Sequence, residues 1–200
     1  MKRLIALVLG AVFAVAALSG TAVAAPAGPA ANNEGGQNIV EIASSLKRFS
    51  TLVDLVVAAD LADTLSADGN FTVFAPTNKA FNKLEAAVPG VTAALLDPAN
   101  KAVLVKVLKY QLLGSAVKSG AAAKLAAKKA KVPTALGKGP NARVQLLGKK
   151  NIFVRDSAGI NTARVVKPFD VSAANGVIHT VNKVLVPKNV AKTLRAVGLL

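Results

Sequence analysis

The sequence contains no cysteine and no tryptophan, and it has only one tyrosine and one histidine. Without cysteine it has no disulfide, no thiolate metal ligand and no cysteine nucleophile. A catalytic triad based on His179 would need Ser172 and an aspartate, Asp156 or Asp170, to converge on it, and no serine lies in a nucleophile elbow. Metal-binding and phosphate-loop motifs are absent too. We therefore expect a protein that is not an enzyme, with no catalytic residue, no metal and no cofactor.

Acidic residues are missing from a long central part of the chain, because none occurs between Pro98 and Arg155. The formal net charge is +15, and it is unevenly distributed. Residues 25–100 carry −4, whereas residues 101–200 carry nineteen Lys or Arg against two Asp, a net charge of +17. A basic half of this size indicates a polyanionic partner, such as an anionic envelope polysaccharide or an acidic lipid surface. The few aromatic side chains disfavour single-stranded nucleic acid, and the export signal described below makes intracellular nucleic acid the least expected of the polyanions, so no nucleic acid partner is expected.

The most basic stretch is "GAAAKLAAKKAKVP", which is rich in helix-forming alanine. If it is one helix, Lys124, Lys128 and Lys131 share a face at positions i, i+4 and i+7. The alternative is an ordinary solvated charge run. The candidate polyanion-binding residues are Lys124, Lys128, Lys129, Lys131, Lys149 and Lys150.

The chain starts with the features of an export signal. Lys2 and Arg3 precede an apolar run from Leu4 to Leu18, and an A-x-A cleavage pattern follows at residues 22–24. The alternative is an uncleaved anchor, but 15 apolar residues are short for a membrane span, which needs roughly 20. We therefore predict a signal peptide over 1–24 and a protein that is periplasmic, on the cell surface or secreted. No transmembrane span is predicted in the mature chain.

The remaining pattern predicts one α+β domain over residues 38–188, after a Pro/Gly-rich flexible linker over 25–37. Helical periodicity dominates up to Lys109, interrupted by one strand at Phe71–Ala75. Three short strands are predicted over 143–166, and a last strand runs from Gly176 to Pro187. The tail, residues 189–200, is a candidate for a closing helix.

Two stretches carry a family resemblance. "FTVFAPTNKAF" (71–81) and "NGVIHTVNKVLVP" (175–187) resemble the two signature boxes of the fasciclin (FAS1) domain family, of the secreted single-domain type found in bacteria. The segments "LVDLVVAADLADTL" (52–65) and "LKYQLLG" (108–114) extend the resemblance over about residues 38–187. It implies a wedge of two small β-sheets with several α-helices packed around it. The resemblance also implies a structural role for Phe71, Pro76, Thr77, Phe81, Gly176 and His179. Thr77 is expected to cap a helix, and His179 is expected to be hydrogen-bonded in the core.

The resemblance also implies a function in cell adhesion, as a matrix-type module whose partner is a cell-surface protein or a polysaccharide. In animal members, integrin contact is attributed to an Asp-Ile pair and a Tyr-His pair. Asp170-Val171 and Tyr110-Gln111 correspond to these pairs here, each with one member changed, so Tyr110, Asp170 and Val171 are the candidate adhesion contacts. Some members bind carotenoids, which makes a carrier of a small hydrophobic ligand a third hypothesis beside adhesion and polyanion binding.

Overall fold

The computed structural model describes residues 36–137, 139–148 and 151–196. The predicted signal peptide, most of the predicted linker and the candidates Lys149 and Lys150 therefore lie outside the described residues.

Helices and strands follow the predicted order, and the α+β class is confirmed. The helices are α1 (Ile39–Ser45), α2 (Ser50–Ala58), α3 (Ala62–Ser66), α4 (Asn78–Ala87), α5 (Val91–Leu96), α6 (Lys101–Tyr110), α7 (Ser119–Ala127) and α8 (Lys188–Ala196). The strands are β1 (Phe71–Pro76), β2 (Leu112–Leu113), β3 (Lys131–Pro133), β4 (Arg143–Leu147), β5 (Phe153–Arg155), β6 (Thr162–Arg164), β7 (Val171–Ala173) and β8 (Gly176–Val181). The last strand is shorter than predicted, since it ends at Val181 rather than Pro187.

Local side-chain chemistry sets several helix ends. The Asn38 side chain accepts a hydrogen bond from the Glu41 N–H at 2.9 Å, and the Glu41 carboxylate accepts one from the Asn38 N–H at 2.8 Å, which completes a capping box. The Thr77 hydroxyl caps α4 by accepting from the Ala80 N–H. At the other end of the chain, α8 buries Val190 and Ala191 in the main core, so the predicted closing helix packs onto the domain.

The strands form two sheets in the described part of the chain. The first has the order β2-β1-β8-β7, and the second is an antiparallel meander in the order β3-β4-β5-β6. The only parallel pairing among them joins β1 to β8, with Phe71 opposite Gly176 and Pro76 opposite Val181. A bridge between Val165 and Val181 connects the second sheet to the first.

Buried side chains form two clusters on the two faces of the first sheet. On one face, Val73 and Ile178 pack under helices α1 to α6 and α8. On the other, Phe74 and Val181 join the inner face of the second sheet and the alanines of α7. The first sheet is therefore covered on both faces, whereas the second sheet keeps an outer face exposed to solvent.

Among the described residues, no helix combines the length and apolar character needed to cross a lipid bilayer.

Gly176 is required by the close approach of β8 to β1. A Cβ at this position would lie 2.2 Å from the Phe71 carbonyl oxygen, which is backbone and cannot rotate away. We expect Gly176→Ala to lower the free energy of unfolding by about 3 kcal/mol, because overpacking must displace a strand. Gly120→Ala in α7 is the matched control. Its added methyl meets nothing within 4 Å, and the variant should gain about 0.5–1 kcal/mol. Urea denaturation measures the stability of both variants. Equal midpoints for the Gly176→Ala variant and the wild type would contradict the close packing of β8 on β1.

Candidate interaction surface

The outer face of the second sheet is polar and basic. Along β4 and β5, Val144, Leu146 and Val154 are fully buried against the domain. Arg143 and Arg155 alternate with them, so they lie on the opposite, exposed face. The strand period of two thus separates an aliphatic inner face from an outer face that carries these arginines, beside the half-buried Leu147 and Phe153.

Strand register aligns these polar residues in a row across the sheet. Lys131 of β3 is opposite Gln145 of β4, which is opposite Arg155 of β5, which is opposite Thr162 of β6. Neighbouring strands lie about 4.8 Å apart, so the Lys131 and Arg155 backbones are roughly 10 Å apart. Arg143 lies two residues before Gln145, on the same face.

The cations of this face have no carboxylate partner within the described ranges. The close charge pair found there joins Lys101 to Asp60 and does not involve the second sheet, nor does the approach of the His179 ring to Asp170. The charges of Lys131, Arg143 and Arg155 are therefore available to a ligand.

A groove of about 390 Å³ opens where this face meets the start of α8. Its charged and amide lining comes from Lys131, Asn141, Arg143, Gln145, Arg155, Asp156 and Lys188. The Asp156 carboxylate is buried there and accepts hydrogen bonds from the backbone N–H groups of Ile160 and Asn161. This volume lies within the range of roughly 300–1,000 Å³ that is usual for small-ligand sites. Cations and amides together suit an anionic group that also carries hydroxyl groups, as in an acidic sugar.

Hydrogen bonds hold the wall of the groove in place. The Tyr110 hydroxyl donates to the Arg143 carbonyl and accepts from the Ser157 N–H, both at 2.7 Å. The Ser157 hydroxyl in turn donates to the Asn141 carbonyl at 2.9 Å and accepts from the Lys188 N–H at 3.2 Å. Burial raises the pKa of Tyr110 above its ordinary value, so the hydroxyl stays protonated and able to donate.

Tyr110 was expected at an adhesion contact, and the structure gives it another position. Its side chain is fully buried, with its hydroxyl engaged behind the groove. A direct contact between its ring and a partner would require this part of the core to open. A direct role in adhesion stays a prediction for Tyr110, and in this structure its side chain supports the surface from below.

Asp170 has a structural task at the start of α7. Its carboxylate accepts a hydrogen bond from the Ser119 N–H at 2.6 Å and another from the Ser119 hydroxyl. Its own N–H donates to Nδ1 of His179 at 3.3 Å. Since Nδ1 accepts, Nε2 donates to the Val117 carbonyl at 2.7 Å, and both ring nitrogens are engaged inside the protein. Val171 is half-buried beside Asp170, opposite Ile178.

Comparison with known proteins decides the family. The sequence model of the fasciclin domain matches residues 47–187. The chain belongs to the fasciclin domain family. It is 39% identical over 162 residues to protein sll1483 of Synechocystis sp., covering 78% of this chain and 77% of that protein. It is 34% identical over 151 residues to the transforming growth factor-beta-induced protein ig-h3 of Sus scrofa, covering 74% of this chain but only 19% of that much longer protein.

A solved structure supports the fold of this fasciclin domain. A FAS1 domain pair from the insect cell adhesion molecule Fasciclin I aligns with a TM-score of 0.66 at 17% sequence identity. The alignment covers 77% of this chain and 52% of that chain. Fasciclin domains are non-enzymatic modules that take part in adhesion and matrix interaction in eukaryotes, and they are typically extracellular.

The predicted helical face of lysines is wrong. Helix α7 ends at Ala127, and Lys129 adopts a left-handed backbone with φ of 52°. The N–H of Ala130 then bonds to the Leu125 carbonyl at 3.0 Å, a helix-ending pattern that turns the chain into β3. Lys131 consequently lies on the second sheet.

The candidate lysines are therefore divided between two surfaces. Lys124 is exposed on α7, and Lys128 and Lys129 are exposed where that helix ends. Lys149 and Lys150 lie outside the described residues. Sequence reasoning missed Arg143 and Arg155, although the alternation in "RVQLL" and "FVR" was a usable signal for them.

The buried Asp156 makes stability depend on pH. Its carboxylate accepts from the N–H groups of Ile160 and Asn161 at 3.1 and 3.0 Å, yet burial raises its pKa above the ordinary 3.8. The folded state thus holds this proton more tightly than the unfolded state does. The stabilisation that this proton gives the folded state is complete below pH 3.8 and is lost as the pH rises through the raised pKa of Asp156.

We expect Asp156→Asn to gain stability relative to the wild type as the pH increases from about 3.5 to 7, because the amide has no charge to bury. Urea midpoints of both proteins across this range measure the effect. Parallel profiles for the two proteins would contradict it.

Asp170→Ala should lower the free energy of unfolding by about 1–2 kcal/mol, because α7 loses the acceptor for the Ser119 N–H and the Ser119 hydroxyl. Asp170→Asn keeps one acceptor and tolerates the left-handed backbone of this residue, whose φ is 57°, so its loss should be smaller. Thermal and urea denaturation measure which of the two variants loses more stability. If both variants match the wild type, the contact with Ser119 is not stabilising.

Proposed function

We propose that this fasciclin domain is an exported, non-enzymatic adhesion module that binds anionic polymers of a cell envelope or matrix through the outer face of its second sheet. The observation that carries the proposal is the row of Lys131, Gln145 and Arg155, with Arg143 beside it and no carboxylate in contact among the described residues.

Electrostatic magnitudes explain why an array is needed. Two unit charges 4 Å apart attract by only about 1 kcal/mol in bulk water, and salt screens exposed charges beyond about 8 Å under physiological conditions. A single exposed lysine therefore cannot distinguish one anionic ligand from another. Several cations spaced by strand register can meet successive anionic groups of a polymer, and the two arginines add bidentate hydrogen bonds to carboxylate, sulfate or phosphate.

The remaining sequence and family features fit this role. The predicted signal peptide would bring the domain to the polymers outside the cytoplasmic membrane. Residues 101–200 carry a net charge of +17, which attracts polyanions before any specific contact forms. Adhesion through cell-surface or matrix partners is the role of the family in eukaryotes.

The decisive variant changes Lys131, Arg143 and Arg155 to Gln. We expect its binding to immobilised polygalacturonate or dextran sulfate to weaken by at least tenfold at 0.15 M salt. The slope of log affinity against log salt should become shallower by about 2, because each lost anion contact removes roughly 0.7. Surface plasmon resonance over a salt series measures both quantities on the mature chain.

A matched control removes the same charge from a different surface, with Lys124, Lys128 and Lys129 changed to Gln. It should keep most of the affinity of the wild type. If both triple variants weaken binding equally, net charge alone is responsible and the sheet face is not the site. If neither weakens it, the polyanion function itself fails.

A second candidate function is favoured by one cleft. Between α1 and α2 lies an apolar cleft of about 40 Å³, lined almost entirely by aliphatic side chains. Gln111 also lines it, is almost fully buried, and has a side-chain oxygen without a partner in the described part of the structure. A slender apolar ligand with one donor would satisfy that oxygen. This volume holds only about three water-sized spheres, so a carotenoid would need the helices to separate.

Organic extraction of the purified protein, followed by mass spectrometry, tests the carrier function. A stoichiometric apolar compound that is absent from a Gln111→Leu preparation would support it, and a clean extract from the wild type would exclude it.

A further inference from the structure

Phe169 is unusual because it is a large aromatic residue held at the surface. Its exposure is 42%, and of the phenylalanines that the structure describes it alone is exposed. Leaving such a ring in water forgoes a substantial part of the stabilisation that burial of a phenylalanine contributes. A lone exposed apolar residue is common on protein surfaces. Phe169 differs from such residues in what surrounds it.

The backbone beside Phe169 is fixed rather than loose. Asp170 adopts a left-handed conformation, which is uncommon for a residue other than glycine. Its carboxylate is bonded to Ser119 and its N–H to the buried His179. The aromatic ring therefore projects from an anchored segment, and the carboxylate of Asp170 is already occupied.

Phe169 forms one wall of a groove of about 280 Å³. The other apolar walls are Ile152 and Val165, and the first turns of α7 contribute the small residues Gly120 and Ala123. A Cβ added to Gly120 would meet nothing within 4 Å, so the groove is open above this glycine. The space can accept a branched aliphatic side chain.

Cations flank the groove along the chain. Lys118 precedes the lining residue Ser119, Lys167 lies two residues before Phe169, and Arg164 donates to the lining residue Asn151 at 2.8 Å. All three cations are exposed, and none is paired with a carboxylate in the described ranges. The surface is thus apolar at its centre, and beside its lining residues lie three cations against the one carboxylate of Asp170, which Ser119 engages.

We infer that this groove, defined by Gly120, Ala123, Ile152, Val165 and Phe169, is a docking site for an acidic polypeptide segment that inserts one aliphatic side chain. Apolar burial supplies the anchor, and the basic rim selects an acidic flank over a basic one. The groove is separate from the outer-face residues proposed for polymers. A domain with both surfaces can bridge an anionic polymer and a protein, which is what adhesion requires.

Two synthetic peptides of equal charge test the inference, EDELEDE and EDESEDE, each with a fluorescent label. We expect the mature wild-type protein to bind the leucine peptide about tenfold more tightly than the serine peptide in fluorescence anisotropy, because one aliphatic side chain is buried. Gly120→Leu fills the groove and should bring this ratio close to one. The substitution should not unfold α7, because leucine favours a helix more than glycine does.

Ala121→Leu is the matched control, since it adds the same side chain at the next, exposed position of α7, outside the groove. This variant should keep the tenfold preference for the leucine peptide over the serine peptide. Lys118→Gln with Lys167→Gln should weaken both peptides and leave the ratio unchanged, because only the rim is altered. The polymer-face variant with Lys131, Arg143 and Arg155 changed to Gln should keep the tenfold preference.

Equal binding of the two peptides by the wild type overturns the inference, as does a preference that survives Gly120→Leu. Sedimentation velocity of the protein alone provides a further check. If the chain associates with itself and Gly120→Leu abolishes this, the occupant is a second copy of the chain and the acidic-peptide assignment is wrong.

Discussion

The parallel pairing of β1 with β8 is the constraint on which the rest of the structure depends. These strands lie more than one hundred residues apart in the chain, and every element between them must fit within the loop that their pairing closes. The first sheet is covered on both faces as a result, with helices on one side and the second sheet on the other. Gly176 allows the approach, because any side chain there would collide with the Phe71 backbone.

Polar side chains around this pair connect segments that hydrophobic packing alone would leave free. The Asn175 side chain accepts from the Ile39 N–H and donates to the carbonyls of Leu65 and Ala67, which joins α1 to the end of α3. His179 joins Asp170 to the segment before α7. The signature stretches of the family therefore act through burial, capping and hydrogen bonding. Thr77, Asn175 and His179 are hydrogen-bonded within the protein, which leaves recognition to other residues.

Recognition depends on the part of the fold that the core leaves uncovered. The second sheet has one buried face, so its outer residues are free to be charged, and the antiparallel register sets their spacing. Beside it, the anchored turn at Asp170 holds Phe169 in water. The hydrogen-bonded network of Tyr110, Ser157 and Asn141 stiffens the groove wall between the core and the outer face.

The sequence by itself determined the α+β class, the capped start of α4, the position of both signature strands and the basic character of the second half of the chain. These features depend on local periodicity, capping chemistry and composition, which neighbouring residues specify. Only the tertiary structure decided which cations share a surface. A left-handed turn at Lys129 moved Lys131 from a helix to a sheet, and strand pairing placed it in a row with Arg155. Likewise, only the packing of distant segments decides that Tyr110, at the end of α6, is buried and that Phe169, in the loop before β7, is exposed.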